Sequence, residues 1–273
     1  MLKVRLSRQL EVSKLIFGTD KLIRIWSSKS KHELLHTAID LGITHFDTAP
    51  LYGFGYAEID LRKILKAHPD LTVTSKLGLY PPGRPNKQFA DIMFRKIGGR
   101  FFPNFKKPNV DFTTEKARIF LEASLKRLGR DYLDLVLVHD PVWSEMDCDT
   151  WVYFFEQAQK EGLIKQFGVD GAVLRINEVM RNKPELCPII QCRDNLQYSS
   201  ADFCKRLNGE PNITYGYLAD ALLPGANKDP LEAFSRGLSR FKNSAVIAST
   251  TNKNHLQDLV NTVARLNFGE VRS

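Results

Sequence analysis

The feature that most constrains the fold of this chain is a regular alternation of short apolar segments with longer amphipathic segments of helical period. Apolar runs rich in β-branched residues predict strands at 15–19, 44–48, 71–77, 133–139, 164–170, 189–193, 213–218 and 245–250. Helical periodicity predicts helices at 31–41, 57–67, 114–128, 151–161, 175–181, 201–207, 231–241 and 254–266. Because one predicted helix follows each predicted strand, the pattern favours an α/β fold of the closed (β/α)8 TIM-barrel type.

A doubly wound dinucleotide-binding sheet is the main alternative to the barrel. That fold needs the pattern G-x-G-x-x-G directly after its first strand, where this chain has only Gly18. Gly53 and Gly55 follow the second predicted strand, but the third glycine of the pattern is missing there. The barrel is therefore preferred.

Local signals agree with this division of the chain. Residues 4–15 alternate around Arg8 and Gln9, which predicts a short hairpin that plugs the barrel floor. Residues of capping type flank the predicted helices: Ser28, Ser30 and Thr113 at their starts, and Gly42, Gly129 and Gly162 at their ends.

Composition and segment lengths predict a soluble, cytoplasmic protein of one domain, 1–273. Hydrophobic residues make up 43% and charged residues 26% of the 273 residues, and no linker or repeat divides the chain. The apolar runs stop after about six residues, well short of the roughly 20 that span a bilayer. The first residues lack the apolar stretch of a signal peptide. Four cysteines without C-x-x-C spacing are expected to stay reduced.

The net charge of +8 does not predict nucleic-acid binding, because most basic residues alternate with acidic ones on the predicted helices. Residues 84–107 are the exception, since basic and phenylalanine side chains are concentrated there with a single acidic residue. This stretch belongs to a long loop insert at about 80–112, after the third strand. Two interpretations remain open: a lid over an anionic substrate, or a solvated or oligomer-contacting flap.

Polar residues at the ends of three predicted strands form a candidate catalytic set: Asp47, Tyr52, Lys76 and His139. In a β/α barrel the carboxyl ends of the strands meet at one mouth, so these side chains are expected to converge. Reduction of a carbonyl by hydride requires a proton donor, and a phenol donates well only where its anion is stabilised. Lys76 can supply that positive charge and Asp47 can hold the ammonium, while His139 orients the substrate oxygen beside Tyr52.

Other chemistries account for fewer of these residues. A Schiff-base aldolase would use Lys76 but leave Tyr52 and Asp47 without a role. His32 and His36 have the spacing of metal ligands on a helix, but no third ligand accompanies them, so no metal site is expected.

The candidate residues also carry a family resemblance. The segment 42–53, with Glu58 after it, resembles the signature of the aldo-keto reductases, and Lys76 and His139 stand where that superfamily keeps its lysine and histidine. The resemblance extends over about 14–266. Segments 110–113, 124–129 and 139–141 are most similar to the branch that contains the sugar-lactol and aldose dehydrogenases. It implies an extended NAD or NADP cofactor, with Tyr52 as general acid and base.

The resemblance further implies a set of cofactor-binding residues: Thr19, Asp47, Asp170, Gln191, Tyr215, Ser249, Thr250 and His255. Gln191 corresponds to the residue that binds the carboxamide, and Tyr215 to the ring that stacks on the nicotinamide. Asp170 and Gly171 replace the family's usual Ser-Asn pair. Because no arginine stands at the adenosine phosphate position, neither NAD nor NADP is favoured, and Lys253 is the candidate for a compensating phosphate contact.

These observations predict an oxidoreductase of the aldose dehydrogenase type. Its expected substrate is a small, sugar-like or anionic molecule with a carbonyl, hydroxyl or lactol carbon. Its expected partners are that small molecule alone, with no nucleic acid and no membrane, and the protein is expected to be a monomer or homodimer. The alternative is a non-catalytic, nucleotide-binding regulatory or interaction protein on the same fold.

Overall fold

Eight parallel strands close into a barrel in the computed structural model, which describes residues 1–82, 108–207, 209–223 and 229–269. The strands of this part of the chain are β1 (Lys3–Ser7), β2 (Leu10–Ser13), β3 (Leu15–Gly18), β4 (His45–Asp47), β5 (Thr72–Leu77), β6 (Leu79–Tyr80), β7 (Asn109–Val110), β8 (Leu133–His139), β9 (Ile164–Ala172), β10 (Ile190–Arg193), β11 (Ile213–Tyr215) and β12 (Ala245–Ala248). The barrel order is β3-β4-β5-β8-β9-β10-β11-β12, and β12 pairs back onto β3. The predicted (β/α)8 barrel is confirmed.

Helices alternate with the barrel strands and surround them. They are α1 (Ser28–Asp40), α2 (Tyr56–Ala67), α3 (Thr114–Leu128), α4 (Cys148–Lys160), α5 (Val173–Asn182), α6 (Asp202–Leu207), α7 (Tyr217–Ala221), α8 (Pro230–Arg240) and α9 (Lys253–Gly269). Short 3-10 turns lie at Leu22–Arg24, Tyr52–Gly55, Trp143–Glu145 and Pro184–Leu186.

The side chains of β8 show how one strand serves two apolar layers. Leu135 and Leu137 point into the barrel, whereas Val136 and Val138 pack in the layer between the barrel and the helices. This follows from the two-residue period of a strand, which sends successive side chains to opposite faces. A strand buried on both faces is largely apolar, and β8, with Asp134 as the single charged residue before His139, is therefore recognisable from its sequence.

The predicted hairpin is present at the barrel floor. β1 and β2 pair antiparallel, and their buried side chains, including Leu6 and Val12, cluster with the inward-facing Ile16 and Leu135. The floor of the barrel is therefore covered by apolar side chains.

The cap predictions are partly confirmed. Gly42, Gly129 and Gly162 follow helices with positive φ, as predicted. The start of α1 was predicted too late, because Ser27 caps this helix and its hydroxyl oxygen accepts the Ser30 N–H at 3.2 Å. Thr113 precedes α3 as predicted, although its hydroxyl donates to Asp111.

Several predicted strands are longer than the strands in the structure, and the difference is largest for the seventh barrel strand, predicted at 213–218. The seventh barrel strand ends at Tyr215, and residues from Tyr217 onwards form α7. Gly216 has a φ of 112°, which ends the strand. The Tyr217 hydroxyl then donates to the buried Asp194 carboxylate at 2.9 Å and stabilises the helical turn. That interaction joins distant segments and leaves no periodic signal in the sequence.

The base of the predicted insert is a small ribbon in which β6 pairs antiparallel with β7. The basic and aromatic stretch at 84–107 lies outside the described residues, and its role as a lid or a flap stays a prediction.

Close contact between β9 and the segment leading into β10 makes Gly168 a sensitive position. A Cβ added to Gly168 would overlap the backbone carbonyl of Ile189, which cannot move without displacing the strand. We expect Gly168→Ala to lower the free energy of unfolding by at least about 3 kcal/mol. Gly162→Ala is the control, because its added Cβ meets no atom within 4 Å, and its left-handed backbone should cost only about 1 kcal/mol. Urea unfolding of both variants measures the difference, and equal losses would contradict the expected overlap.

Candidate active site

A layer of polar side chains lies where the barrel strands end. His139, Asp170 and Gln191 are neighbours on β8, β9 and β10, because His139 pairs in register with Asp170 and Asp170 with Gln191. Asp47 ends β4, and Lys76 lies on the adjacent strand β5. The closed barrel therefore brings together residues that are far apart in the chain.

Lys76 is the centre of this layer. Its ammonium is fully buried and donates to both carboxylate oxygens of Asp47, at 2.6 and 2.8 Å. It also donates to the Tyr52 hydroxyl oxygen at 2.9 Å. Burial opposes the charged form of Lys76, but Asp47, Tyr52 and Asp170 together outweigh that effect and raise the pKa of the lysine above its ordinary value. Lys76 is therefore a permanent cation between a carboxylate and a phenol.

Tyr52 begins the 3-10 turn that follows β4. The next two residues, Gly53 and Phe54, have positive φ angles of 57° and 59°, which form a tight turn after the tyrosine. Burial raises the pKa of Tyr52 above its ordinary value, although Lys76 opposes the shift. Tyr52 is consequently a phenol that keeps its proton at neutral pH.

A buried acid, Glu58, connects the elements that carry Tyr52 and Lys76. One oxygen of its carboxylate accepts the hydroxyl of Ser75 at 2.9 Å, beside Lys76 on β5. The other accepts Arg127 Nε at 2.6 Å, and the Arg127 side chain lies against Gly55 in the Tyr52 turn. The sequence indicated Glu58 only as part of a motif, and the structure shows which segments it joins.

His139 lies beside Tyr52 with its ring perpendicular to the phenol, at 6.2 Å between ring centroids. Its Nε2 lies 3.7 Å from Asp170 Oδ2. Burial, together with the Lys76 charge, lowers the pKa of His139 to about 3, so the imidazole is neutral at physiological pH. Its Nδ1 has no hydrogen-bond partner among the described residues.

A cleft opens from this layer along the ends of the last strands. Asp47, Tyr52, Gln191, Tyr215 and Ser249 line it, and its volume is about 220 Å³. A second recess of about 450 Å³ continues toward the start of α9. Because Lys21, Leu218 and Ser249 line both, the two spaces form one groove.

The structure gathers most of the predicted site residues. Asp47, Tyr52, Lys76 and His139 meet in one layer. Gln191, Tyr215 and Ser249 line the cleft, and Ser249, Thr250 and His255 line the second recess.

Three predicted positions differ from the rest. Thr19 is buried, and its hydroxyl donates to the backbone carbonyl of Asp47 at 3.0 Å instead of lining the groove. Asp170 lies in the polar layer and not in the groove lining. Lys253, the candidate phosphate contact, is not among the residues that line the groove, and its ammonium is paired with Glu33 at 2.8 Å, so its role stays a prediction.

Two groove cations did not emerge from the sequence. Lys21 and Arg24 follow β3 and line the groove, and the Lys21 ammonium donates to the Ser249 carbonyl at 3.2 Å. Both residues lie in the loop that follows the first barrel strand, and this position at the carboxyl end of a strand could have indicated them as groove residues.

The described residues contain no group of three or more His, Cys, Asp or Glu side chains placed to hold a metal ion. Within the described part of the chain, no helix is both long and apolar enough to cross a membrane.

Comparison with known proteins identifies the family of the chain. The model of the aldo/keto reductase family matches residues 14–268. D-threo-aldose 1-dehydrogenase from a Pseudomonas species is 31% identical over 160 residues, covering 56% of this chain and 47% of that protein. L-galactose dehydrogenase from Arabidopsis thaliana is 28% identical over 176 residues, covering 61% of this chain and 47% of that protein. The chain spans about half the length of these relatives.

Solved structures share the fold. The holo form of an aldo-keto reductase from Bacillus halodurans superposes with a TM-score of 0.74 at 20% identity, over 96% of this chain and 91% of that one. This likeness concerns the barrel architecture.

The buried Asp170 carboxyl makes stability depend on pH in a defined direction. Burial raises its pKa to about 7, whereas the unfolded chain has an ordinary value near 4. The stability it contributes is therefore complete below pH 4 and is lost as the pH rises through 7. Since asparagine cannot ionise, Asp170→Asn should be more stable relative to the wild type at pH 8 than at pH 5, by about 2 kcal/mol. Thermal unfolding at both pH values measures this, and an advantage independent of pH would contradict it.

Proposed function

Because the chain belongs to the aldo/keto reductase family, we propose that it is an NAD(P)-dependent oxidoreductase that acts on the carbonyl, hydroxyl or lactol carbon of a small, sugar-like molecule. The observation that carries this proposal is the contact of one buried ammonium, Lys76 Nζ, with both the Asp47 carboxylate and the Tyr52 phenol. The pair lies at the carboxyl ends of the barrel strands, beside the groove that runs toward the start of α9.

Tyr52 is the proton donor and acceptor of the proposed reaction. When bound, the nicotinamide supplies or accepts the hydride. In the reductive direction Tyr52 gives its proton to the substrate oxygen, and the phenolate that forms is stabilised by Lys76 at 2.9 Å. In the oxidative direction the same oxygen takes the proton back. Asp47 keeps the ammonium charged and aimed at the phenol throughout.

His139 orients the substrate. Its imidazole is neutral and therefore carries one N–H, which can donate a hydrogen bond to a substrate oxygen without transferring its proton. The perpendicular packing of the ring on Tyr52 places the two donors side by side.

The residues around the groove fit a nicotinamide dinucleotide. Gln191 Nε2 donates to Asp47 at 3.1 Å, whereas its Oε1 is buried without a partner among the described residues and can accept from a carboxamide. Tyr215 lies in the same cleft and can stack on the ring. Lys21 and Arg24 supply positive charge along the groove for the pyrophosphate.

The far recess favours neither form of the cofactor strongly. His255 lines it together with Thr250, but two carboxylates, Asp229 and Asp258, line it as well. A 2′-phosphate would meet these negative charges as well as the arginine of the recess, Arg24, whereas ribose hydroxyls can hydrogen-bond to the carboxylates.

The substrate class is proposed from the relatives. D-threo-aldose 1-dehydrogenase and L-galactose dehydrogenase are named for sugars, which supports a sugar lactol or aldehyde as the substrate here.

Replacing Tyr52 by phenylalanine tests the mechanism. We expect Tyr52→Phe to fold and to bind the cofactor normally, but to lose about 100-fold or more in kcat, because the positioned proton donor is removed. Steady-state kinetics with a panel of aldoses, in both directions, measures the loss.

Tyr153→Phe is the matched control, since Tyr153 is exposed on the outer helix α4 and should not affect turnover. Unchanged turnover in Tyr52→Phe would remove Tyr52 from the mechanism. A wild type that binds the dinucleotide but turns over no carbonyl or alcohol would favour a regulatory role on the same fold.

Cofactor titrations test the interpretation of the far recess. We expect NADP to bind no more than about 100-fold more tightly than NAD, a difference of about 2.7 kcal/mol. Lys253→Ala should leave the ratio unchanged, because Lys253 is paired with Glu33. A preference for NADP above about 100-fold in calorimetry would contradict this prediction. A change of the NADP/NAD ratio in Lys253→Ala would contradict it as well.

A further inference from the structure

Asp170 is a buried carboxyl in the polar layer to which the proposed mechanism assigns no step. Its side chain is 3% exposed. It lies at the same level as His139 on one side and Gln191 on the other, because the three residues are in register on adjacent strands. Gln191 lines the cleft proposed for the nicotinamide, so Asp170 lies directly beside that cleft.

The polar edge around Asp170 is incompletely hydrogen-bonded. Asp170 Oδ1, His139 Nδ1 and Gln191 Oε1 are all buried without a partner among the described residues. Buried polar atoms are nearly always paired in native proteins, and a group of unpaired ones needs an explanation such as a ligand. These three side chains on neighbouring strands indicate that a polar or charged ligand completes the layer.

The charges of the layer do not balance when Asp170 is ionised. Lys76 is its cation, and the Asp47 carboxylate already binds that ammonium through both oxygens. The ionised Asp170 therefore adds a negative charge that is incompletely compensated by Lys76, in a region screened from water. The ionisable groups that interact with it are Asp47, Tyr52, Lys76, His139, Asp140, Cys192 and Tyr215.

We propose that the Asp170 carboxylate makes the site bind oxidised nicotinamide more tightly than reduced nicotinamide. The proposal rests on the proposed function, because it concerns the same cleft. The oxidised ring carries a positive charge and the reduced ring is neutral. A carboxylate beside the cleft therefore stabilises one form alone, and it does so more strongly in a buried site than it would in water.

The preference should depend on pH. Burial raises the pKa of Asp170 to about 7, although Lys76 opposes the shift, so the carboxyl gains its charge between about pH 6 and 8. Burial also raises the pKa of Asp47, although Lys76 opposes that shift. Five other groups that face Asp170 keep one protonation state over that range. The pKa of Lys76 and that of Tyr52 are raised, and that of His139 is lowered to about 3. The pKa values of Cys192 and Tyr215 are also raised well above their ordinary values.

Equilibrium binding of NAD⁺ and NADH to the whole protein tests the proposal without requiring turnover. The dissociation constants are measured by calorimetry and NADH fluorescence at pH 6 and pH 8, at constant ionic strength. We expect the preference for NAD⁺ over NADH in the wild type to rise by about tenfold from pH 6 to pH 8, as one buried charge appears. In Asp170→Asn the preference should stay at its pH 6 value.

Asp140→Asn is the matched control, because Asp140 lies in the neighbouring turn and its Oδ1 faces the Ala172 N–H at 3.4 Å. It removes a carboxylate that faces Asp170 from the adjacent turn. Because Asp140 contributes to the raised pKa of Asp170, the rise in the preference should persist in this variant, with its midpoint at a lower pH. An equal effect of Asp140→Asn would show that overall charge is responsible, and would overturn the proposal.

The remaining outcomes separate this inference from the proposed function. Failure of the wild type to bind either NAD(H) or NADP(H) would overturn the proposed function itself. Tight binding with a preference that is flat from pH 6 to pH 8, or that is unchanged in Asp170→Asn, would overturn only the role of Asp170. The wild-type pH series decides the question even if Asp170→Asn does not fold.

Discussion

The buried ammonium of Lys76 is the constraint on which the organisation of this site depends. Removing an ammonium from water is costly, and it is tolerated only where a carboxylate and further acceptors replace the lost solvation. Asp47 meets that requirement because β4 and β5 are hydrogen-bonded in register, with Asp47 opposite Thr74 and Lys76 two residues further on. Tyr52 and Gln191 then attach to the same pair, the first through the ammonium and the second through the carboxylate. The ion pair thus fixes where a proton donor and a cofactor amide can lie.

The barrel separates stability from chemistry along its axis. At the floor, the hairpin of β1 and β2 and inward-facing side chains such as Leu135 form an apolar cluster without catalytic groups. At the mouth, the strands end in polar residues whose positions are held from behind by contacts such as Glu58 with Ser75 and Arg127. Buried polar atoms without hydrogen-bond partners cost stability, and the apolar floor of the barrel can compensate for that cost at the mouth.

Much of the fold was predictable because burial leaves a local periodic signal. The strand β8 and the helix α3 have the bounds that the sequence predicts, since an apolar run and a 3.6-residue period are read over a few neighbouring residues. The end of β11 was not predictable in this way, because the turn at Gly216 is stabilised by contacts of Tyr217 with Asp194, a residue 23 positions away. Local pattern fails where a distant partner decides the conformation.

The same distinction holds for the site. By itself the sequence determined the barrel class and the convergence of Asp47, Tyr52, Lys76 and His139, because strand ends in a parallel barrel must meet. Only the tertiary structure decided what each neighbouring side chain contacts. It turned the Thr19 hydroxyl to the backbone, joined Lys253 to Glu33 across 220 residues, and brought Lys21 and Arg24 into the groove. It also enclosed Asp170 between His139 and Gln191, where burial alters its acidity. Such pairings arise when the barrel closes, because closure brings distant segments of the chain together. The separation of two residues along the chain does not reveal whether their side chains will then be in contact.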